Sequence, residues 1–191
     1  GFDRSFTLPW GLDALIEAAV SANPHTIVAF IGGGSFDTTR WLDRVPALVH
    51  AWYPGQEGGT AIAQILFGKH NPEGKLPVSF PWESGQEPFY YDRKSTGRPV
   101  LGNGSSEYKA RYATTDNSAR FPFGHGLTYT DFVLDQLKLS DTALRWDAAI
   151  EVTARITNKG DRKGSEVVQL YTRDRVASRT RPIRSERAPA G

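Results

Sequence analysis

The run Trp52-Tyr53-Pro54-Gly55-Gln56-Glu57-Gly58-Gly59-Thr60-Ala61, followed by Gly68-Lys69-His70-Asn71-Pro72-Glu73-Gly74-Lys75-Leu76-Pro77-Val78-Ser79-Phe80-Pro81, most constrains the fold. It joins a strand end, a Gly-rich turn, a helix and an edge strand in fixed order. Upstream, residues 9–22 predict an amphipathic helix. Pro9 lies near its first turn, and Leu12, Leu15, Ile16, Ala19 and Val20 recur at the i, i+3, i+4 spacing. Asn23-Pro24 stops it. Residues 26–31 form a continuous β-branched and apolar run that suits a strand covered on both faces, and Gly32-Gly33-Gly34 ends it. Residues 45–52 predict a second buried strand, and 57–67 a short helix with Ile62, Ile65 and Leu66 on one face. Such alternation builds a mostly parallel sheet with helices packed on it.

From 81 to about 120 the chain is rich in Gly, Pro, Ser and Tyr and shows no sustained period. A connector of that length covers a surface or serves a site. Beyond it an alternating pattern sets in: Val133, Leu137 and Leu139; then Ile150, Val152, Ala154 and Ile156; then Val167, Gln169 and Tyr171. Asn158-Lys159-Gly160-Asp161 makes the intervening turn. The pattern is that of an antiparallel β-sandwich that stops early. The expected architecture is a partial α/β sandwich over 1–120, followed by an incomplete β-sandwich with a basic tail over 121–191. Its unpaired edges are expected to make it marginal or prone to aggregate.

An apolar fraction of 39% is too high for a disordered chain. No apolar run approaches the roughly 18 residues of a membrane span. Residues 173–191 carry six arginines against Asp174 and Glu186, a net +4, which leaves −2 for the remainder of a chain of formal charge +2. The basic balance is thus a property of the tail, read as a solvated end, and neither nucleic acid nor membrane is an expected partner. Zero cysteine removes disulfides, thiol catalysis and Cys-based zinc sites. With zero methionine, Gly1 is expected to be a processed or internal end.

Gly32-Gly33-Gly34-Ser35 after a buried strand invites a phosphate reading. It matches neither GxGxxG nor GxxxxGK[ST], so it reads as a structural turn. His25, His50, His70 and His125 show no metal spacing. Asp37, Asp43, Glu57 and Glu73 read as turn and cap residues. Aromatic residues remain, since exposed rings offer faces on which a ligand can stack. Trp10, Trp41, Trp52, Trp82 and Trp146 read mostly as core, whereas Tyr90 and Tyr91 are candidates to face a substrate or another domain.

The two runs quoted first resemble the second domain of the family 3 glycoside hydrolases, the β-glucosidase group. Phe121-Pro122-Phe123-Gly124-His125-Gly126-Leu127-Thr128-Tyr129 is a second hallmark, and residues 151–172 look like the opening strands of that family's fibronectin III-like module. The resemblance covers about residues 1–183. It implies retaining hydrolysis of terminal, non-reducing β-linked glucosyl residues by two carboxylates, with neither a metal nor an organic cofactor. The family's nucleophile is an aspartate on an N-terminal barrel and its acid/base a glutamate on a loop that Gly1-Phe2-Asp3-Arg4 resembles the continuation of. No residue of this chain is therefore expected to be catalytic, and the isolated chain is expected to be inactive.

Phe2, Asp3 and Arg4 join Tyr90 and Tyr91 as substrate-rim candidates, with a local ion pair as the alternative role of Asp3 and Arg4. The implied partners are a β-linked oligosaccharide or glucoside and the missing barrel and sandwich segment, or in that segment's place a second copy of the chain. Secretion or a periplasmic location is implied by the family. Two further readings stay open: a noncatalytic carbohydrate-binding or interaction module, and a β-xylosidase or arabinofuranosidase parent. The polar run 184–191, where the family continues with an apolar strand, departs from the pattern.

Overall fold

The computed structural model describes residues 5–94, 97–98, 109–173, 176, 179, 181–182 and 185–187. A 3-10 turn at Pro9–Gly11 leads into α1 (Leu12–Ala22), followed by β1 (Ile27–Phe30), β2 (Ala47–His50) and α2 (Gly58–Leu66). β1 and β2 pair in parallel, with Ile27 opposite Ala47 and Phe30 opposite His50. The ladder runs on past the strands, as Ala51 N donates to Phe30 O at 2.8 Å and Gly32 N to Trp52 O at 3.1 Å. No helix among the described residues is long and apolar enough to cross a membrane.

The core collects on one face of this pair. Leu8, Val20, Phe36, Trp41, Val45 and Phe80 are buried, and Leu12, Ile16, Val28, Phe30 and Leu48 pack against them. Trp41 is 1% exposed and its Nε1 donates to Asp13 Oδ1 at 2.8 Å, so the first turn of α1 is tied to the loop before β2. Two sequence expectations change here. Ile27 and Ile31 of the first strand are 48% and 57% exposed, because among the described residues only one face of the sheet carries a packed layer. Leu15, expected on the buried face of α1, is 63% exposed, on a side of the helix that the described core does not reach.

The family-like segments meet at an antiparallel seam. Phe80 and Phe121 exchange backbone bonds of 2.8 and 3.1 Å, Leu76 N donates to His125 O at 2.8 Å, and Gly124 N to Leu76 O at 2.8 Å. Ser79 Oγ accepts from Phe123 N at 3.0 Å. Lys75 Nζ closes the end of the seam by donating to Gly126 O at 2.8 Å while pairing with Glu166 at 2.9 Å. Both side chains of that pair are largely buried, where a charge pair is screened little and the loss of one partner is costly. The two segments approach so closely that a Cβ on Gly126 would lie 2.1 Å from the Gly74 carbonyl oxygen.

Beyond the seam β3 (Phe132–Leu139) and β4 (Val152–Asn158) form an antiparallel pair. Its register breaks between Asp135 and Lys138, where Gln136 adopts φ 53°. Asn158 makes the expected turn, accepting from Gly160 N at 3.0 Å and Thr130 Oγ1 at 2.7 Å while donating to Arg162 O. The third expected strand is shorter than the alternation implied. Only β5 (Leu170–Thr172) forms, paired with β6 (Ser185–Arg187), and Val167 precedes the paired stretch.

The tie between Asp13 and Trp41 should be visible in stability. Asp13→Ala leaves a buried indole N–H unmet and is expected to lower unfolding free energy by about 1–3 kcal/mol in urea denaturation, with Asp13→Asn costing less because it keeps an acceptor. Two glycines give a contrasting pair. Gly126→Ala is expected to destabilise strongly, since backbone must move. Gly59→Ala, in α2 with open space at the Cβ position, should stabilise by up to about 1 kcal/mol. Equal thermal shifts for the two would contradict this reading of the seam.

Candidate functional site

The carboxyl ends of parallel strands are where α/β sheets present ligand-facing loops. Here those ends carry Gly32-Gly33-Gly34-Ser35 after β1 and Trp52-Tyr53-Pro54-Gly55 after β2. His50 binds the two loops together: its Nε2 lies 3.2 Å from Gly34 O and its Nδ1 accepts from Trp52 N at 3.3 Å. With Nδ1 accepting, Nε2 carries the proton, so the ring is neutral. Burial supports this state by holding the imidazole below its usual value, against the opposing effect of the backbone bond to Gly34. The ring also packs on Trp52 at 4.4 Å and Phe80 at 5.4 Å between centroids.

The glycine run accommodates neighbouring side chains. A Cβ on Gly33 would lie 2.6 Å from the Tyr53 ring, which itself is 71% exposed. Trp52 holds φ 53°, a left-handed conformation that costs a non-glycine residue energy. Ser35 Oγ donates to Glu87 Oε1 at 2.9 Å, which brings the start of the long loop onto this face. The result is a firm polar and aromatic rim of Ser35, Tyr53 and Glu87 at one end of the sheet.

The expected rim residues separate into three cases. Phe2, Asp3 and Arg4 lie outside the described residues. Tyr91 is an anchor: its ring stacks on Phe123 at 4.3 Å and 19°, with Tyr171 edge-on at 6.1 Å. Tyr90 is 58% exposed. The neighbouring tyrosines thus divide the work of holding the loop and presenting a ring. Among the five tryptophans, Trp41 is core, Trp52 and Trp82 are half-buried, and Trp10 and Trp146 are exposed rather than packed. Sequence reasoning missed His50, Ser35 and Glu87 as a group, because nothing local marks contacts between segments so far apart.

His125 sits in the seam, 5.2 Å from the Phe121 ring. Burial, and then the charge of Lys75, hold its imidazole below the usual value. Among the described residues no group of three or more His, Cys, Asp or Glu side chains is placed to hold a metal ion. The site offers hydroxyl, carboxylate and aromatic groups, which suit hydrogen bonding and stacking with a neutral polar ligand.

Residues 1–129 match the family model described as the glycosyl hydrolase family 3 C-terminal domain. A periplasmic beta-glucosidase of Salmonella typhimurium is 36% identical over 94% of this chain, which spans 24% of that protein. A probable beta-glucosidase I of Aspergillus fumigatus is 38% identical over 96% of this chain and is spanned for 23% of its length. Among solved structures, the beta-glucosidase of Listeria innocua in complex with isofagomine aligns at a TM-score of 0.91 and 32% identity, over 96% of this chain and 26% of its own. The chain thus spans about a quarter of the curated relatives that it matches. It belongs to glycosyl hydrolase family 3, whose C-terminal domain it carries.

Proposed function

We propose that this chain serves as the C-terminal portion of a retaining β-glucosidase-like hydrolase that acts on terminal, non-reducing β-linked glucosyl residues. The observation that carries the reading is sequence identity of 36% maintained over 94% of the chain with a protein named a beta-glucosidase. Retaining hydrolysis needs two carboxylates about 5–5.5 Å apart, one as nucleophile and one as general acid and base. In this reading both are supplied by the barrel and the loop that precede the matched region. The chain contributes a supporting wall beside them and no catalytic carboxylate.

In the same reading the two parts of the chain divide the labour. Residues 1–120 form the α/β unit and 121–191 a fibronectin III-like unit, with 121–129 as a shared seam bonded to 76–80. The rim at the carboxyl ends of β1 and β2 faces the substrate side, together with Phe2, Asp3, Arg4 and the exposed ring of Tyr90. Tyr91 holds the loop against Phe123 and leaves Tyr90 free to stack on a sugar face. A β-xylosidase parent would use the same wall, since it contacts the sugar only at the edge.

Two outcomes are expected. The isolated chain hydrolyses no chromogenic β-glucoside, and turnover by it would overturn the placement of both carboxylates. In the full-length protein, Tyr90→Ala is expected to raise KM by about two- to tenfold, the worth of one aromatic contact, with a smaller change in kcat. An unchanged KM would remove Tyr90 from the substrate rim.

A further inference from the structure

His50 is placed where one added proton changes what it can hold. It ends β2 and is half-buried between the glycine turn after β1 and the Trp52-Tyr53 turn. Rings from four segments surround it: Trp52 at 4.4 Å, Phe30 at 5.3 Å, Phe80 at 5.4 Å and Phe36 at 5.8 Å between centroids. Its two nitrogens serve opposite roles. Nδ1 accepts from the Trp52 amide at 3.3 Å, while Nε2 donates to the Gly34 carbonyl at 3.2 Å.

The neutral ring with its proton on Nε2 satisfies both partners. The imidazolium carries a proton on each nitrogen and cannot accept, so its Nδ1–H would meet the Trp52 N–H donor against donor. That amide belongs to a residue under strain. Trp52 holds φ 53°, a conformation that persists in a non-glycine residue only while its surroundings impose it. The Nδ1 bond restrains its N–H, as the 3.1 Å bond from Gly32 N restrains its carbonyl. Losing the first lets Trp52 relax out of the left-handed region and draws the adjoining Tyr53 ring off Gly33, against which it now rests.

The surroundings do little to stabilise the charged ring. β1 and the rest of β2 hold no ionisable side chain. The titratable groups of the segments packed around His50 are Asp37, Tyr53, Glu57 and Glu87, with Lys75 and His125 in the seam. Asp37 accepts from the Thr39 amide and hydroxyl, Glu87 from Ser35, and Lys75 pairs with Glu166. Attraction to ring faces and to backbone carbonyls favours the charge. Burial, the leading influence on this imidazole, opposes it and prevails, with no side-chain charge among the causes.

The geometry points to a proton-operated clasp: neutral His50 holds the glycine turn to the Trp52-Tyr53 turn, and a proton added at Nδ1 releases the Trp52 amide and with it Tyr53. In the released state the ring reaches water and titrates at the ordinary histidine value of about 6.5. Above that pH both states carry a neutral ring and the clasp is fully engaged. As pH falls below it, release lets the ring take a proton that the closed state resists, so acid favours release. The clasp stands on the fold at the strand ends and does not depend on the hydrolase reading.

Hydrogen exchange read by mass spectrometry in the full-length protein tests this, with amide rates corrected for the pH dependence of chemical exchange. Between about pH 7.5 and pH 5, the window in which histidine titrates, segment 51–55 should lose about tenfold in protection, the worth of one hydrogen bond. Segment 27–30 should keep its protection. Exchange at the His50 ring Cε1–H over the same range should place its titration below the usual histidine value. In His50→Gln, which keeps an acceptor and a donor but takes no proton, the pH-dependent loss should vanish. His50→Phe, which fills the space between the rings and makes neither bond, should leave 51–55 poorly protected throughout. Protection of 51–55 that stays flat in the parent, or a His50 ring that titrates at or above the usual value, would overturn the clasp whether or not either variant folds. So would a loss that persists in His50→Gln, which would assign it to another group such as His125.

Discussion

The antiparallel seam between residues 76–80 and 121–125 is the constraint on which the remaining architecture depends. It joins segments separated by some forty residues, so forming it closes a long loop against chain entropy. Four backbone bonds, the Ser79 contact and the charge of Lys75 offset that cost. The seam also positions its neighbours. Phe80 reaches inward to the Phe36 and His50 rings, Phe123 reaches outward to Tyr91, and Lys75 reaches forward to Glu166. A single bridged seam thus ties the α/β unit, the long loop and the β-rich unit to one another.

The long loop shows how that registration is used. Among its described residues a 3-10 turn at Ser84–Gln86 is the one helical element, yet it is fastened at several points. Ser35 holds Glu87, Gln86 spans from Trp82 to Asp116, Asn117 binds Ala110 and Tyr112, and Tyr91 stacks on Phe123. A segment pinned this way can present Tyr90 in a fixed position. Asn71 does similar work on the other side of the seam, accepting from Thr128 and Tyr129 and donating to Lys163 O.

Much of the α/β unit was legible from local pattern. The helix at 12–22, the parallel strands at 27–30 and 47–50, the glycine turn and the Asn158 turn follow from periodicity and turn chemistry, which act within a few residues. Exposure was less legible. Leu15 and Ile27 carry the apolar signature of buried positions, but burial is decided by whatever layer lies above them, and that layer is not local. The same limit hid the Asp13 bond to Trp41, the His50 link between the two loops and the Gln86 brace. Each joins residues with no fixed spacing, and each uses a polar side chain that local reading assigns to a cap, a loop or solvent.

Native-state hydrogen exchange at the amides of Leu76, Phe80, Phe121 and Gly124 tests the central claim most directly. If the seam organises the fold, these four should exchange only through the largest opening of the chain, as slowly as the amides of β1 and β2. Exchange at the rate of exposed loop amides, with β1 and β2 still protected, would show that the units hold together by other contacts and would contradict the account.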